Sequence, residues 1–321
     1  MSSNFFDIRG KELLEACPTG VDEILWSEFR AAMHKANQYE HQDSGPIQID
    51  LELNGTCNMA CPFCIHGFDE QTGLDKNITL DDAKQILLQA KQSGAYSLKL
   101  NYINEPLLRT DLEDVIKYAR EIGFVNIYLV TNGSLLTEKR RLSILNAGLT
   151  RIYISIDAAT EETYNKQRKN GLYNTVVENV KQLVKLRSKL GLPFPLIRVS
   201  FLKNSINIHE AIEFFDKWKD TADLITFQTM NEVPSHQTGL AIESFKNPKA
   251  CDFPFKQLVI DHEGNILPCC KLPGRDLKIG TINSMTIQEA WQSEKMQTLR
   301  NLHKNGEWHQ NPICKNCLTN G

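Results

Sequence analysis

The chain has 321 residues, with 36 lysines and arginines against 39 aspartates and glutamates and a net charge of −3. That length has room for two domains or for one large α/β domain with an appendage, and the even charge balance excludes a polybasic nucleic-acid binder and a disordered acidic tail. No apolar run approaches the roughly 20 residues of a bilayer crossing, and Asp7, Arg9, Lys11 and Glu12 stand where an export signal would need its apolar stretch. A cytoplasmic protein with neither a membrane nor a nucleic-acid partner is expected.

Residues 1–46 read as a mainly helical extension (KELLEA, EILWSEFRAAMHKANQ) ending in the polar HQDSGP. They either cap the rest of the fold or touch a substrate. Over 47–231, β-rich runs at 47–53, 97–104, 126–131, 151–157, 196–202 and 223–230 alternate with helical periods near 79–93, 110–122, 137–147, 173–190 and 207–219. Thr79 with Asp82 forms an N-cap pair, Gly94 follows the helix end, and Val176, Val177, Val180, Leu183 and Val184 make a one-sided stripe. Six strands with helices between them imply parallel pairing through right-handed crossovers. Periodicity leaves open whether they form a doubly wound sheet or curl toward a barrel. Either way the site belongs at the carboxyl ends of the strands. A polar linker is expected over 232–250, and 251–321 forms a small module. It contains a hairpin, LVIDHEGNILPCC, turning at Glu263-Gly264, and a helix around Thr286–Leu302.

Nine cysteines are too few for a disulfide scaffold, and in a reducing compartment thiols serve more often as ligands or nucleophiles. Cys57, Cys61 and Cys64 follow the first strand directly. Three thiolates at this spacing can wrap one inorganic cluster and leave a coordination position open; with His66 as fourth ligand the same loop would make a zinc site. Cys251, Cys269, Cys314 and Cys317 can fully ligate a zinc ion or a second cubane, and spacing alone does not choose. Cys269 is preferred to Cys270 as the ligand, and neighbouring strand residues face opposite ways, so the two do not share an iron. Cys17 reads as a small buried hydrophobe.

The C-x3-C-x2-C loop after the first strand of a βα barrel resembles the radical S-adenosylmethionine superfamily. The resemblance implies a partial (β/α)6 TIM-like barrel, with Cys57, Cys61 and Cys64 holding a [4Fe-4S] cluster. The open iron chelates S-adenosylmethionine, which is cleaved to a 5′-deoxyadenosyl radical. Asn101-Tyr-Ile-Asn104-Glu105-Pro106 stands where the family shows Gly-Gly-Glu-Pro. Asn101 and Asn104 depart from that motif, while Glu105 keeps the role of ammonium partner. Thr131-Asn132-Gly133 resembles the family's Thr-Asn-Gly, and Ser155-Ile-Asp157 its Ser-x-Asp. Arg168, in a Tyr-x3-Arg setting from Tyr164, is implied to contact the methionine carboxylate, and Phe63 to pack on adenine. The C-terminal segment is similar to the shortened SPASM, or twitch, extension, which implies one auxiliary [4Fe-4S] cluster on Cys251, Cys269, Cys314 and Cys317.

Chains of this length and arrangement resemble the aminocyclitol dehydrogenases. The expected activity is oxidation of a hydroxyl-bearing carbon in a sugar, cyclitol or similar small molecule, with flavodoxin or ferredoxin as electron donor. Arg198, Glu232 and His236 are candidate bases near late strand ends. Epimerisation with Cys270 as hydrogen-atom donor, maturation of a ribosomal peptide, and a zinc-stabilised interaction module are the alternatives.

Overall fold

The computed structural model describes residues 10–40, 43–68, 76–230, 232, 237–242 and 249–320. Six parallel strands follow in chain order: β1 (Gln48–Leu51), β2 (Ser97–Lys99), β3 (Asn126–Thr131), β4 (Arg151–Ser155), β5 (Leu196–Lys203) and β6 (Leu224–Thr229). Ahead of them lie α1 (Gly10–Glu15) and α2 (Glu23–Asn37). The crossovers carry α3 (Ile65–Phe68) and α4 (Leu80–Gln92), then α5 (Leu112–Glu121), α6 (Glu138–Ala147), α7 (Glu161–Gln167), α8 (Tyr173–Lys189) and α9 (Ala211–Trp218). The sheet stays open, so the architecture is the expected partial barrel rather than a closed one.

Side-chain alternation explains how the sheet holds and what it encloses. Ile49, Leu51, Leu98, Ile127, Leu129, Ile152, Ile154, Ile197 and Val199 point to the helices and are completely buried, each contributing about 1.5–3 kcal/mol of apolar burial. The opposite, lumen-facing positions are largely polar: Gln48 and Asp50, Lys99, Asn126 and Tyr128, Arg151, Tyr153 and Ser155, Arg198 and Ser200. Several of these (Lys99, Tyr128, Ser155, Arg198) are partly exposed, so solvent reaches the concave face.

Several features depart from the sequence reading: β2 stops at Lys99 rather than 104, α7 was not expected, and the C-terminal part differs in two ways. The C-terminal hairpin, β7 (Gln257–Ile260) and β8 (Asn265–Leu267), continues the main sheet, with β7 parallel to β1 from Gln48↔Gln257 to Leu51↔Ile260. The short β9 (Gly280–Thr281) completes the strand order β6-β5-β4-β3-β2-β1-β7-β8-β9. The single helix expected around 286–302 is two, α10 (Ile287–Gln292) and α11 (Glu294–Lys304). Ser293, with extended ψ, interrupts them and caps the second by accepting from Met296 N. The last helix is α12 (Pro312–Asn320).

The N-terminal helices cap the barrel. Trp26 and Phe29 of α2 pack with Ile47, Tyr96, Val125 and Phe255, the residues just before β1, β2 and β3 and near the start of β7. Trp26 Nε1 donates to Glu15 O at 2.9 Å and Arg151 Nη2 to Leu14 O at 3.1 Å. These helices therefore close the amino ends of the strands, opposite the βα loops. Cys17 is packed among them, its Sγ 3.6 Å from Val21 O. Among the described residues no helix is long and apolar enough to cross a membrane.

Candidate active site

The loop after β1 carries Cys57, Cys61 and Cys64, and the following strand ends supply the groups that hold it. Asn132 Nδ2 donates to Asn58 Oδ1 at 2.8 Å and lies 4.0 Å from Cys57 Sγ; Asn58 Nδ2 donates to Ser134 Oγ at 2.9 Å. Arg168 Nη1 points to Cys61 Sγ at 3.8 Å, and its guanidinium lies 5.6 Å from the Phe63 ring centre. Ala60 N donates to Lys169 O at 3.1 Å. The β1 loop, the β3 end and the segment after α7 are thus tied at one point.

Arg168 Nη2 pairs with Asp157 Oδ2, both side chains nearly buried. Asp157 Oδ1 accepts from Leu202 N at 2.7 Å. Asp157 sits at φ 64 in the left-handed region, which aspartate tolerates better than most residues. That bend ends β4 before the expected residue 157. Arg168 Nε is buried without a partner, a donor left for something the chain does not supply.

Glu105 is 2% exposed and accepts from Thr131 Oγ1 at 2.6 Å, Asn132 N at 2.8 Å and Leu107 N at 3.1 Å. Three of a carboxylate's roughly four acceptor sites are filled, leaving one. Burial pushes its pKa up, opposed by these donors and by Arg168, so a cation arriving beside it would stabilise the ionised form. Thr131 Oγ1 also accepts from Gly133 N at 3.0 Å, and Gly133 adopts φ 76, where a side chain would meet Ile154 at 2.9 Å. The two asparagines that depart from the glycine motif have structural work. Asn101 Oδ1 accepts from Val130 N at 3.0 Å, and Asn104 Nδ2 donates to Asn54 Oδ1 at 2.8 Å. Ser155 ends β4 on the lumen side, partly exposed.

The second group forms around a cavity of about 410 Å³ measured out to solvent, lined by Cys251, Cys269, Cys314 and Cys317 together with Gly274 and His303. Cys270 is not among its lining residues; it packs with Tyr102, Val259 and Leu267 and is close enough to Lys99 and Asp50 to feel their charges. A Cβ on Gly274 would lie 2.4 Å from Cys269 Sγ, so the turn after β8 leaves room for sulfur and nothing more. His303 Nδ1 accepts from Cys251 N at 3.0 Å. Burial lowers its pKa to about 4, so the ring is neutral, with its proton on Nε2.

Both groups suit iron–sulfur ligation. All nine cysteines are free, and burial pushes Cys57, Cys251 and Cys314 up to about 12. They remain neutral thiols until a metal displaces the proton. Among the described residues no three His, Cys, Asp or Glu side chains gather closely enough for a single metal ion. His66 Nε2 is 3.1 Å from Ile103 O.

Of the three candidate bases, Arg198 stands third among the eight residues of β5 rather than at its carboxyl end. The Glu232 carboxylate accepts from the N–H groups of Thr238, Leu240 and Ala241, which organise the loop that follows it. His236 lies outside the described residues. The sequence reading missed Gly274, His303 and the polar lumen. The lumen was signalled by alternation, with Gln48, Asp50 and Glu52 in IQIDLEL and Arg198 and Ser200 in LIRVSFL.

Comparisons with known proteins agree with this geometry. Residues 51–215 match the family model of the Radical SAM superfamily, and 251–318 match SPASM, an iron–sulfur cluster-binding domain. The chain belongs to the Radical SAM superfamily. Its cofactors are therefore S-adenosylmethionine and a [4Fe-4S] cluster, with auxiliary iron–sulfur binding in the C-terminal part.

A GTP 3′,8-cyclase of Limosilactobacillus fermentum is 28% identical over 179 residues, covering 54% of this chain and 50% of that protein. The chain thus spans about half the length of that curated relative. Among solved structures, BtrN in complex with AdoMet and 2-DOIA is 19% identical with TM-score 0.55, covering 84% of this chain and 92% of that one. SuiB of Streptococcus suis bound to precursor peptide SuiA is 13% identical with TM-score 0.62, covering 86% and 71%. At these identities the structural likenesses speak to the fold.

Proposed function

We propose that the chain is a radical S-adenosylmethionine oxidoreductase that removes hydrogen from a hydroxyl-bearing carbon of a sugar, cyclitol or similar polar small molecule. The observation that carries this reading is the solvent-reached lumen, where Asp50, Lys99, Tyr128, Ser155 and Arg198 present hydrogen-bonding groups from five of the strands. Such a surface suits a molecule that is itself mostly hydroxyls.

Cys57, Cys61 and Cys64 are assigned to the front cluster, and Cys251, Cys269, Cys314 and Cys317 to one auxiliary [4Fe-4S] cluster. When bound, these groups supply a 5′-deoxyadenosyl radical and an acceptor for the electron left on the substrate. Glu105, with its remaining acceptor site, would take the cofactor's ammonium, and Arg168 Nε its carboxylate. Phe63, Asn104, Thr131, Asn132, Ser155 and Asp157 complete the cofactor shell. A cytoplasmic setting with flavodoxin or ferredoxin as donor goes with this reading.

The curated relatives raise a nucleotide substrate. Against it, a triphosphate brings several negative charges, while Lys99 and Arg151 on the lumen face already have protein partners and a single unpartnered fork, Arg198, is left there among the described residues. Epimerisation is the second reading, favoured by Cys270 lying near Asp50 and Lys99 and not lining the auxiliary cavity.

The test is anaerobic turnover of an aminocyclitol and amino-sugar panel in deuterium oxide. An unlabelled ketone with one 5′-deoxyadenosine per product supports dehydrogenation. A solvent deuteron on product carbon, lost in Cys270→Ala, supports epimerisation. Absence of 5′-deoxyadenosine with dithionite overturns both.

A further inference from the structure

We infer that the substrate carries an oxyanion, a carboxylate or phosphoryl group, gripped by Arg198 from the lumen wall. The inference rests on the small-molecule reading above and names the chemistry of that molecule.

Arg198 is the third residue of β5 and faces the lumen between Tyr153 on β4 and Leu224 on β6. Its guanidinium lies 3.4 Å from the centre of the Tyr153 ring, which in turn packs on Tyr128 at 5.4 Å. The stack fixes the plane of the fork and offsets part of its desolvation. It supplies no acceptor. Among the described residues the Arg198 side chain has no hydrogen-bond or ion-pair partner, and its Nε is buried and unsatisfied.

The other lumen cations are occupied. Lys99 Nζ pairs with Asp50 Oδ2 at 3.0 Å, and Arg151 Nη2 donates to Leu14 O at 3.1 Å and faces Trp26. On the adjacent strand Thr226, one lumen position beyond Leu224, also has a buried hydroxyl without a partner. A charged fork with an orphaned donor, and an orphaned hydroxyl one lumen position along the neighbouring strand, are donors waiting for acceptors.

The same observations dismiss Arg198 as a base. A guanidinium keeps its proton under protein conditions, and here it is better used as a fixed positive plane. Its depth sets the size of the ligand. Leu202, whose N–H meets Asp157, lies four residues further along β5, about 13 Å at strand rise. An anion at Arg198 and a reacting carbon approaching the Asp157 level therefore belong to one molecule at least the size of a substituted six-membered ring.

The test is protection of Arg198 from phenylglyoxal in the reconstituted holoenzyme under argon, quantified residue by residue by peptide mass spectrometry. Acetate, inorganic phosphate and acetamide are the probes, at matched ionic strength, with surface Arg30 as internal reference. Acetate or phosphate should slow modification of Arg198 saturably, by about fivefold when the concentration is about four times the dissociation constant. Acetamide should not slow it, and Arg30 should be unaffected. The arm that protects at lower concentration identifies carboxylate or phosphoryl. Equal protection by acetamide, no protection by either anion, or failure of Arg198 to react at all overturns the inference. 5′-Deoxyadenosine formation is measured on the same preparation, so its absence fails the radical reading independently of the protection result.

Discussion

Cys57, Cys61 and Cys64 lie in one loop braced by polar side chains, Asn58, Asn132 and Arg168, that arrive from neighbouring strand ends. Cys251, Cys269, Cys314 and Cys317 come instead from a turn, the end of a hairpin and the last helix. They meet in a cavity whose other walls include Phe253, Leu277, Leu299 and Ile313. Three thiols among hydrogen-bond donors leave a side on which a polar reactant can bind; four thiols among apolar walls enclose what they hold. On the proposed assignment, the contrast is between thiols set among polar groups and thiols set against a largely apolar wall.

The largest expected effect tests that separation directly. Cys61→Ala should remove about four irons per chain and reduce 5′-deoxyadenosine to background while the tail keeps its iron–sulfur absorption. Cys317→Ala should do the converse, losing auxiliary iron but retaining reductive cleavage of S-adenosylmethionine. If cleavage disappears there too, the two regions are not independent.

Asp157→Asn leaves Arg168 charged and buried without its partner. A loss of about 3–5 kcal/mol in urea unfolding of the cluster-free protein is expected, together with weaker S-adenosylmethionine binding by equilibrium dialysis. Gly274→Ala sharpens the comparison more gently. A methyl 2.4 Å from Cys269 Sγ must push the thiol aside, so auxiliary iron should fall while front-loop iron is unchanged, as read by metal analysis of the Cys61→Ala and wild-type backgrounds.

The smallest effect concerns a link between the regions. His262 Nδ1 lies 2.8 Å from Glu52 Oε2, and hydrogen bonding and charge from Glu52 raise the His262 pKa against its burial. A histidine raised on folding contributes stability fully below its unfolded pKa of about 6.5 and loses it as pH rises through the folded value. Unfolding free energy should therefore decline across that window in wild type and flatten in His262→Gln.

The barrel was legible because its signals are local. Thr79 caps α4 and its hydroxyl accepts from Asp82 N, as expected, and the strand centres fall where β-rich runs stood. The front loop was legible for the same reason, its cysteines being adjacent in sequence. Other features were set by partners distant in the chain. No periodicity says that Gln257 will lie beside Gln48, that Ser293 will break a helix, or that His303 will accept from Cys251 N. Residues 1–46 could be read as helical but not placed, because their position is decided by Trp26 and Phe29 finding Ile47, Val125 and Phe255. The polar lumen was written in the strands as plain alternation, hidden by attention to their apolar members.

The pairing of β7 with β1 has a mechanical consequence. The strand that launches the front loop and the strand that opens the tail hairpin are laced by main-chain bonds from Gln48 to Leu51, so no hinge lies between them. A motion that parted the two strands would have to break those bonds first, so the roots of the front loop and of the tail hairpin travel together.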